Sequence, residues 1–422
     1  MADYTKMAAV TTLATKELTA LLRTTWRKKI EYLKLKQDPL VGSLSTSLYG
    51  TLDLGKQADK SKMYAIPNKI IQDLTPEFGD EATYAREFVL TLSMPFTGEG
   101  HLGTTDALGG EEESTWKYAK VYSNDIGHAS TINEYGITSR EVIPMHAQNL
   151  IQSKLATWRA ERQGYDMRYA VMYRVSPNLL IAPFSLTQVW NPHTYIVGEP
   201  LGDQAPYNAD KTTYNAAVTT ALNNATTSNN FFNLTNLLSM KQWAEDSYIN
   251  PITWEGMDIY VLYISSEQML KLQDPTTTNS WGAYIKDVAA IPKYDIRRII
   301  PGASFIIGDS VVVCEDKRTA RIGITGSTIT PYFMKMGRTD QRASALTETR
   351  AYDVNLLLGQ NALAKVTAQQ WQFKFEMQSY DKYKGVDYNG AESWQIPIYD
   401  IDTPTNSSVI SEGSAVIFTY TS

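Results

Sequence analysis

The sequence predicts an α+β fold in which a long helix and an extended hairpin accompany a domain of mixed strands and helices. The chain has 422 residues, of which 43% are hydrophobic and 20% are charged, as in a folded protein. A chain of this length can bury a sizeable core divided into two or three domains or subdomains. Strand patterns mixed with helix patterns through its second half indicate a compact α+β domain.

Residues 144–172 carry the longest continuous helical pattern in the chain. Pro144 suits a first helical turn, where its missing N–H would have no partner in any case. Leu150, Ile151 and Leu155 continue as a stripe at helical spacing, and the next proline is Pro177. Such a helix is about 40 Å long. The pattern alone fits either a backbone for other layers or a core helix of a large enzyme.

Residues 86–134 predict a long hairpin. An apolar residue at every second position from Phe88 to Met94 indicates a strand, and residues 114–122 form a second strand-like run. Between them lies a glycine-rich acidic tip that contains Glu111 but no phosphate-binding GxxxxGK[ST] pattern. A two-stranded hairpin is marginally stable by itself, so it rests on a neighbouring subunit or belongs to a larger sheet.

Residues 1–36 form a basic arm with eight basic and three acidic residues, a net charge of +5. Leu22, Trp26 and Ile30 belong to an apolar stripe that predicts an amphipathic helix across residues 13–35. A basic amphipathic helix can bind a membrane, a partner protein or its own domain. A partner protein is favoured because the polar face carries several threonines and little apolar excess.

Shorter elements are predicted along the rest of the chain. Residues 203–236, rich in Asn and Thr, are interpreted as a surface excursion with a short helix at 214–222. The other predictions are strands at 62–66, 257–264, 304–314 (with a turn at 308–309), 320–324, 371–377 and 415–420, and helices at 265–272 and 354–368.

No catalytic, metal or cofactor pattern emerges from the sequence. The four histidines are separated by at least 18 residues and form no metal-binding motif. Cys314, the single cysteine, lies among valines and is interpreted as a core residue; a disulfide within the chain is impossible, which favours folding inside a cell. Gly308-Asp309-Ser310 lacks the glycine that would complete a nucleophile elbow. We therefore predict a protein without enzymatic activity or cofactor.

The net charge, the hydropathy and the aromatic content indicate which classes of protein the sequence favours. A net charge of −6 argues against a dedicated nucleic-acid binder, although basic patches remain. Neither a transmembrane run nor a signal peptide is predicted. The 26 tyrosines and 9 tryptophans suit extensive protein–protein contact, and they also suit carbohydrate binding.

The middle of the chain resembles the major capsid proteins of tailed bacteriophages, in particular the coliphage N-four-like group. The segment FVLTLSMPFTGEG at 88–100 contains Met94-Pro95-Phe96-Thr97-Gly98 in place of that group's MPLSG-like segment, and the hairpin and long helix follow. Tyr383-Lys384-Gly385-Val386 is similar to the group's closing strand region. The similar stretches, 88–172 and 354–386, cover about a third of the chain.

The resemblance implies the Hong Kong 97-type capsid fold and a division of the chain. The division is an N-terminal arm (1–45), the first part of a peripheral domain (46–85), an E-loop hairpin (86–134), the peripheral domain with its spine helix (135–179), an axial domain with a 203–236 insertion (180–350), and a return to the peripheral domain with a C-terminal tail (351–422).

Function follows from the same resemblance as an expectation. Hexamers and pentamers would close into an icosahedral shell around double-stranded DNA, built in the bacterial cytoplasm, with a separate scaffolding protein, a portal and a decoration protein as partners. Cross-linking through Lys117 or Lys120 is not predicted, because no asparagine partner can be assigned. The predicted subunit-interface residues are Leu22, Trp26, Ile30, Met94, Phe96, Trp116 and Tyr118, and the predicted DNA-facing residues are Arg159, Arg162 and Arg168.

Two other classes are compatible with the sequence. One is a β-rich enzyme or binding protein acting on glycans, which the aromatic content suggests and which would need two converging carboxylates. The other is a different phage structural component, such as a tail protein, which would form tubes or rings.

Overall fold

The computed structural model describes twenty segments of the chain. They are residues 49–51, 63–64, 69–73, 87–93, 116–122, 125–133, 143–174, 189–197, 211–224, 233–247, 249–254, 257–274, 303–307, 310–325, 328–332, 350–369, 373–379, 382–401, 408–411 and 413–421. The predicted N-terminal arm and the tip of the predicted hairpin lie outside these residues.

The described residues form four helices and 22 strands. The helices are α1 (Ile143–Met172), α2 (Lys211–Asn224), α3 (Leu234–Asp246) and α4 (Ser266–Gln273). The strands are β1 (Tyr49–Thr51), β2 (Met63–Tyr64), β3 (Ile71–Asp73), β4 (Glu87–Ser93), β5 (Trp116–Tyr122), β6 (Asp125–Asn133), β7 (Tyr173–Arg174), β8 (Val189–Trp190), β9 (Thr194–Ile196), β10 (Ile252–Trp254), β11 (Met257–Ser265), β12 (Ala303–Ile307), β13 (Val311–Asp316), β14 (Ala320–Thr325), β15 (Thr328–Tyr332), β16 (Arg350–Leu358), β17 (Leu363–Gln369), β18 (Phe373–Ser379), β19 (Lys382–Gln395), β20 (Ile398–Ile401), β21 (Ser408–Ser411) and β22 (Ser414–Thr421).

The larger sheet, with nine described strands, is built around β16. Its main order is β12-β13-β11-β16-β14-β15, and β10, β22 and β9 attach to it. Strand β22 pairs along the whole of one edge of β16. The other edge is shared, because β11 pairs with residues 356–358 and β14 pairs with residues 350–354. Strand β11 ends where the chain enters α4. Beyond that point, β14 takes the place of β11 beside β16.

Both faces of this sheet are covered by helices. Along β11, Val261 and Tyr263 belong to a core cluster that also contains buried residues of α1 and α2. Leu262 and Ile264 point to the opposite face and belong to a second cluster with α3 and α4. Because both faces are buried, the sequences of these strands are continuous apolar runs and do not alternate between apolar and polar residues.

The smaller sheet contains six described strands and is built around β19. Strands β17 and β18 pair with successive halves of one edge of β19, and β6 pairs along the other edge. Strands β3 and β1 extend the sheet beyond β17. Strands β4 and β5 form an antiparallel hairpin in a separate three-stranded sheet with β2.

The two large sheets meet at the tight connection between β16 and β17. Asn361 has a φ of 56°, a left-handed conformation that asparagine tolerates better than most residues. Its side-chain oxygen accepts a hydrogen bond from Gln72 of β3, and its backbone N–H donates to the carbonyl of Lys69 at 2.8 Å. The N–H of Gly359 donates to the carbonyl of Gly413 at 2.6 Å, which joins the connection to the start of β22.

Helix α1 confirms the predicted long helix and continues through Gly164 without interruption. At 30 residues it is about 45 Å long. It packs against β6, β17 and β19 of the smaller sheet and against β16 and β22 of the larger one. Its last six residues, from Met167 to Met172, are all buried. The helix is thus shared by the two sheets.

Helix α4 and the predicted strands are confirmed, and one predicted helix is wrong. Helix α4 begins after Ser265, whose side chain accepts from the N–H of Gln268 as the predicted N-cap. The predicted strands at 62–66, 257–264, 304–314, 320–324, 371–377 and 415–420 correspond to β2, β11, β12 with β13, β14, β18 and β22. The helix predicted at 354–368 is instead the end of β16, the tight connection and β17, because a doubly buried strand shows an unbroken apolar run.

The interpretation of residues 203–236 as a surface excursion is wrong for the part that the structure describes. Helix α2 is longer than predicted and places Tyr214, Val218 and Leu222 in the main core. These three residues recur at intervals of four, so a narrow apolar stripe docks a helix whose other positions are mostly Asn, Thr and Ala. Helix α3, which also covers the larger sheet, was not predicted.

We predict that Gly413→Ala destabilises the fold strongly. A Cβ atom at this position would lie 1.7 Å from the carbonyl oxygen of Gln360, which is backbone and cannot move aside. Overpacking of this kind costs about 1–3 kcal/mol or more. Urea denaturation followed by circular dichroism would measure the loss. Ser239→Ala at an exposed position of α3 is the control. Equal stability of the two variants would contradict the close packing of Gly413 against the carbonyl of Gln360.

Candidate functional site

The β4–β5 hairpin contains the two predicted interface residues whose backbone the structure describes. Trp116 is opposite Ser93 and Tyr118 is opposite Thr91 in the strand register. Leu90, Ala119 and Val121 are fully buried. Because residues alternate between the faces of a hairpin, positions 116 and 118 occupy the face opposite to these buried residues. This register agrees with a contact surface, and the interface role stays a prediction.

The other predicted interface residues lie outside the described part of the chain. They are Leu22, Trp26 and Ile30 of the arm and Met94 and Phe96 beside the hairpin tip. Their roles stay predictions.

The expectation that Arg168 faces DNA is wrong, because this residue is in the core. Only 3% of Arg168 is exposed. Its guanidinium donates to both carboxylate oxygens of Asp316, from Nε at 2.8 Å and from Nη2 at 2.6 Å, and Nη1 donates to the carbonyl of Gly164 at 3.0 Å. A buried bidentate pair of this kind attaches α1 to the end of β13.

Asp316 also organises the turn between β13 and β14. Its carboxylate accepts from the backbone N–H of Arg318 at 2.9 Å, and its carbonyl accepts from the hydroxyl of Thr319 at 2.8 Å. Arg318 in turn lies 3.8 Å from Glu161 of α1. Two ion pairs, one buried and one near the surface, therefore connect the helix to this turn. The sequence contained no signal for either pair, since the partners are about 150 residues apart.

Arg159 and Arg162 lie on a more open side of α1. Arg162 forms an ion pair with Asp166 one turn later, with a closest distance of 2.8 Å, and the two side chains are 14% and 17% exposed. Arg159 is half-buried. The pair with Asp166 offsets part of the charge that Arg162 would present to DNA. DNA contact at Arg159 and Arg162 stays a prediction.

An aromatic stack between α1 and β6 was not predicted. The rings of His128 and Trp158 lie 4.6 Å apart at an angle of 21°. His128 is exposed overall, and the partial burial of its imidazole lowers its pKa, which favours the neutral form. Exposed Lys154 lies one helical turn before Trp158. The stack holds α1 against the smaller sheet.

The single cysteine, Cys314, is buried in the core. Cys314 is 1% exposed, and burial raises the pKa of its thiol to about 12, so it holds its proton at neutral pH. This placement confirms the prediction that Cys314 is a core residue. The described segments contain no cluster of three or more His, Cys, Asp or Glu residues arranged to hold a metal ion. Among the described helices, none is long and apolar enough to span a membrane.

Two solved structures share the architecture of this chain. A capsid structure of Ralstonia phage GP4 is 15% identical and superimposes with a TM-score of 0.54, covering 86% of this chain and 90% of that one. A capsid structure of cyanophage Pam1 is also 15% identical, with a TM-score of 0.53, covering 84% and 89%. No protein-family model and no curated protein sequence matches the chain. The similarity confirms the predicted α+β fold of the Hong Kong 97 capsid type.

We predict that Arg168→Met reduces stability far more than Arg162→Met. The first change leaves Asp316 buried without its charge partner, which costs about 3–5 kcal/mol. The second removes a helix-surface pair whose contribution is typically below about 1 kcal/mol. Urea denaturation of both variants measures the difference. Equal losses would show that Arg168 is not the buried anchor of α1.

Proposed function

We propose that this protein is a major capsid protein that self-assembles as hexamers and pentamers into the icosahedral head shell of a tailed bacteriophage. One observation carries the proposal: the shared fold spans nearly the whole of two phage capsid subunits and 84–86% of this chain. The role is structural, the protein is part of the virion, and assembly takes place in the bacterial cytoplasm.

The division of the chain follows the same proposal. The expected E-loop, 86–134, is proposed for the β4–β5 hairpin, because β6 pairs with β19 of the smaller sheet. Helix α1 is the spine helix of the peripheral domain, and the region 180–350 is the axial domain. The expected return of residues 351–422 to the peripheral domain is proposed for β17–β19 alone, because β16 and β22 belong to the larger sheet with β11 and β14. Membership of the coliphage N-four-like group is part of the proposal and is supported by the Met94–Gly98 segment.

The hairpin and the arm are the proposed contacts between subunits. Trp116 and Tyr118 on β5, with Met94 and Phe96 beside the tip, would cover a neighbouring peripheral domain, and the arm residues Leu22, Trp26 and Ile30 would bind an adjacent subunit. Buried aromatic anchors contribute more than roughly 2 kcal/mol each at such interfaces. A separate scaffolding protein, a portal and a decoration protein complete the proposed partners.

Negative-stain microscopy of the purified protein tests the function. Closed shells of uniform size are expected on expression of the chain with the neighbouring structural genes of its phage. Tubes or rings would instead indicate a tail component, and dispersed monomers that degrade a glycan would indicate an enzyme. A variant lacking residues 97–113 should form few or unstable shells. Shells of unchanged yield and heat stability from this variant would contradict the role of the hairpin as a link.

The proposed contact with packaged DNA is limited to Arg159, Arg162 and the basic arm. Arg168 is buried in the core. The double variant Arg159→Gln/Arg162→Gln therefore removes two charges that lie outside the core. We expect particles of this variant to release DNA at lower salt than wild-type particles, since phosphate contacts set the salt dependence of binding. Lys241→Gln on α3 is the control for a loss of surface charge. An unchanged salt profile would assign Arg159 and Arg162 to the solvated helix surface.

A further inference from the structure

A buried polar cluster lies beneath α4, at the point where β11 leaves the larger sheet. The hydroxyl of Ser265 donates to one carboxylate oxygen of Asp353 and accepts from the N–H of Gln268 at 3.2 Å. Arg321 of β14 donates to the other oxygen of Asp353 at 2.8 Å and to Glu267 at 2.7 Å. Polar side chains thus fill the space between the end of β11 and the start of β14.

Two side-chain oxygens of this cluster have no hydrogen-bond partner among the described residues. They are Oε1 of Gln268 and Oδ1 of Asn355, and both residues are 0% exposed. The amide nitrogens of the same side chains are paired: Gln268 donates to the carbonyl of Tyr420 at 3.0 Å, and Asn355 donates to the hydroxyl of Thr419 at 2.7 Å. Buried polar atoms nearly always have a partner, so both oxygens indicate a missing donor.

Asn355 and Thr419 lie on the same face of the β16–β22 pair, and Gln268 approaches this pair from α4. Asp353 and Asn355 are two residues apart on β16, and Thr419 is directly opposite Asp353 on β22. Gln268 reaches the carbonyl of the next residue, Tyr420. Gln268 and Asn355 therefore bond to two consecutive residues of β22, Tyr420 and Thr419.

We propose that Gln268, Asn355 and Thr419 form a binding site for one buried water molecule. The water donates its two hydrogens to Oε1 of Gln268 and Oδ1 of Asn355, and it accepts from the hydroxyl of Thr419. Among the described residues, Thr419 uses its oxygen as an acceptor and directs its hydrogen to no protein atom. Three hydrogen bonds are the usual number for a buried water, and they match the two acceptors and one donor of this site.

The site does not depend on how the Asn355 amide is assigned. With the amide reversed, its oxygen would accept from Thr419 and its nitrogen would be the atom without a partner. The water would then accept from that nitrogen. One buried group of Asn355 needs a water in either orientation, because Thr419 can satisfy only one end of the amide.

The surrounding charges favour a neutral ligand over a cation. Arg321 is paired with Asp353 and Glu267, and Lys271 lies within electrostatic range of the same two carboxylates. Two positive and two negative groups cancel, so no net negative charge attracts a metal ion. A water fits the hydrogen-bonding groups without adding an unpaired buried charge.

The proposed water gives α4 a bonded connection to β16 and β22. The contributions of Gln268 and Asn355 to stability are then coupled through the water, although no direct hydrogen bond joins the two residues. Substitution of either residue should displace the water and leave the other without a partner. This dependence separates a shared water from two independent unsatisfied atoms.

A structure of the purified protein at a resolution that shows ordered solvent tests the site. We expect one peak at about 2.7–3.2 Å from Oε1 of Gln268, Oδ1 of Asn355 and Oγ1 of Thr419. Absence of a peak in a well-ordered cluster would overturn the proposal. A peak with five or more oxygen ligands at about 2.3–2.6 Å would identify a cation and would also overturn it.

A double-mutant cycle provides the second test. Gln268→Met and Asn355→Leu should each lower Tm by roughly 2–4 °C or more, and the double variant should lose clearly less than the sum. Leu270→Gln, at a 70% exposed position of α4, is the control partner and should be additive with Asn355→Leu. Additive losses for Gln268 and Asn355 would contradict a shared water.

If Asn355→Leu does not fold, Thr419→Val replaces it in the cycle, with Thr419→Ser as the variant that retains the hydroxyl. Gln268→Met should lower Tm as much in the Thr419→Ser background as in the wild type, and less in the Thr419→Val background. An equal loss in both backgrounds would overturn the role of the hydroxyl. The site lies within one subunit, so these measurements test it separately from the formation of shells.

Discussion

Helix α1 ends inside the protein, and this burial constrains the structure around it. Six consecutive residues from Met167 to Met172 are buried, so charged groups and free carbonyls of this segment must find partners within the fold. Arg168 finds Asp316 on β13. Asn191 satisfies two carbonyls at the end of the helix. Its N–H donates to the carbonyl of Met172, and its side-chain amide donates to the carbonyl of Val171. The helix, the β13–β14 turn and the segment after β8 therefore form one unit.

Asn191 extends this unit to other elements. Its side chain also donates to the hydroxyl of Ser414 at the start of β22, and its carbonyl accepts from the hydroxyl of Tyr214 on α2. An aromatic series continues the same connection from Tyr173 through Trp190, with ring centroids 4.6 Å apart, to Phe418 at 5.1 Å. The polar and aromatic contacts run side by side from the helix end to the larger sheet. These contacts connect the end of α1 with α2 and β22.

Much of the fold could be predicted from local sequence patterns, and the errors have identifiable causes. The long helix was predictable because its periodicity persists for 29 residues from Pro144, and α4 was predictable because Ser265 is a strong N-cap. The apolar run of β16 was assigned to a helix, since a strand buried on both faces has no alternation to recognise. Helix α2 was assigned to the surface, since only Tyr214, Val218 and Leu222 mark its buried stripe.

The sequence by itself determined the elements whose signals are local: the long helix, the hairpin strands, the caps and the core position of Cys314. It also determined the similarity to phage capsid proteins, which the shared fold supports. Only the tertiary structure decided the roles of charged and polar side chains. Arg168 has the same helical setting as Arg162 in the sequence, but one is bound to Asp316 in the core and the other pairs within its own helix. Burial of a charge depends on a partner far away in the chain, and no local pattern contains that information.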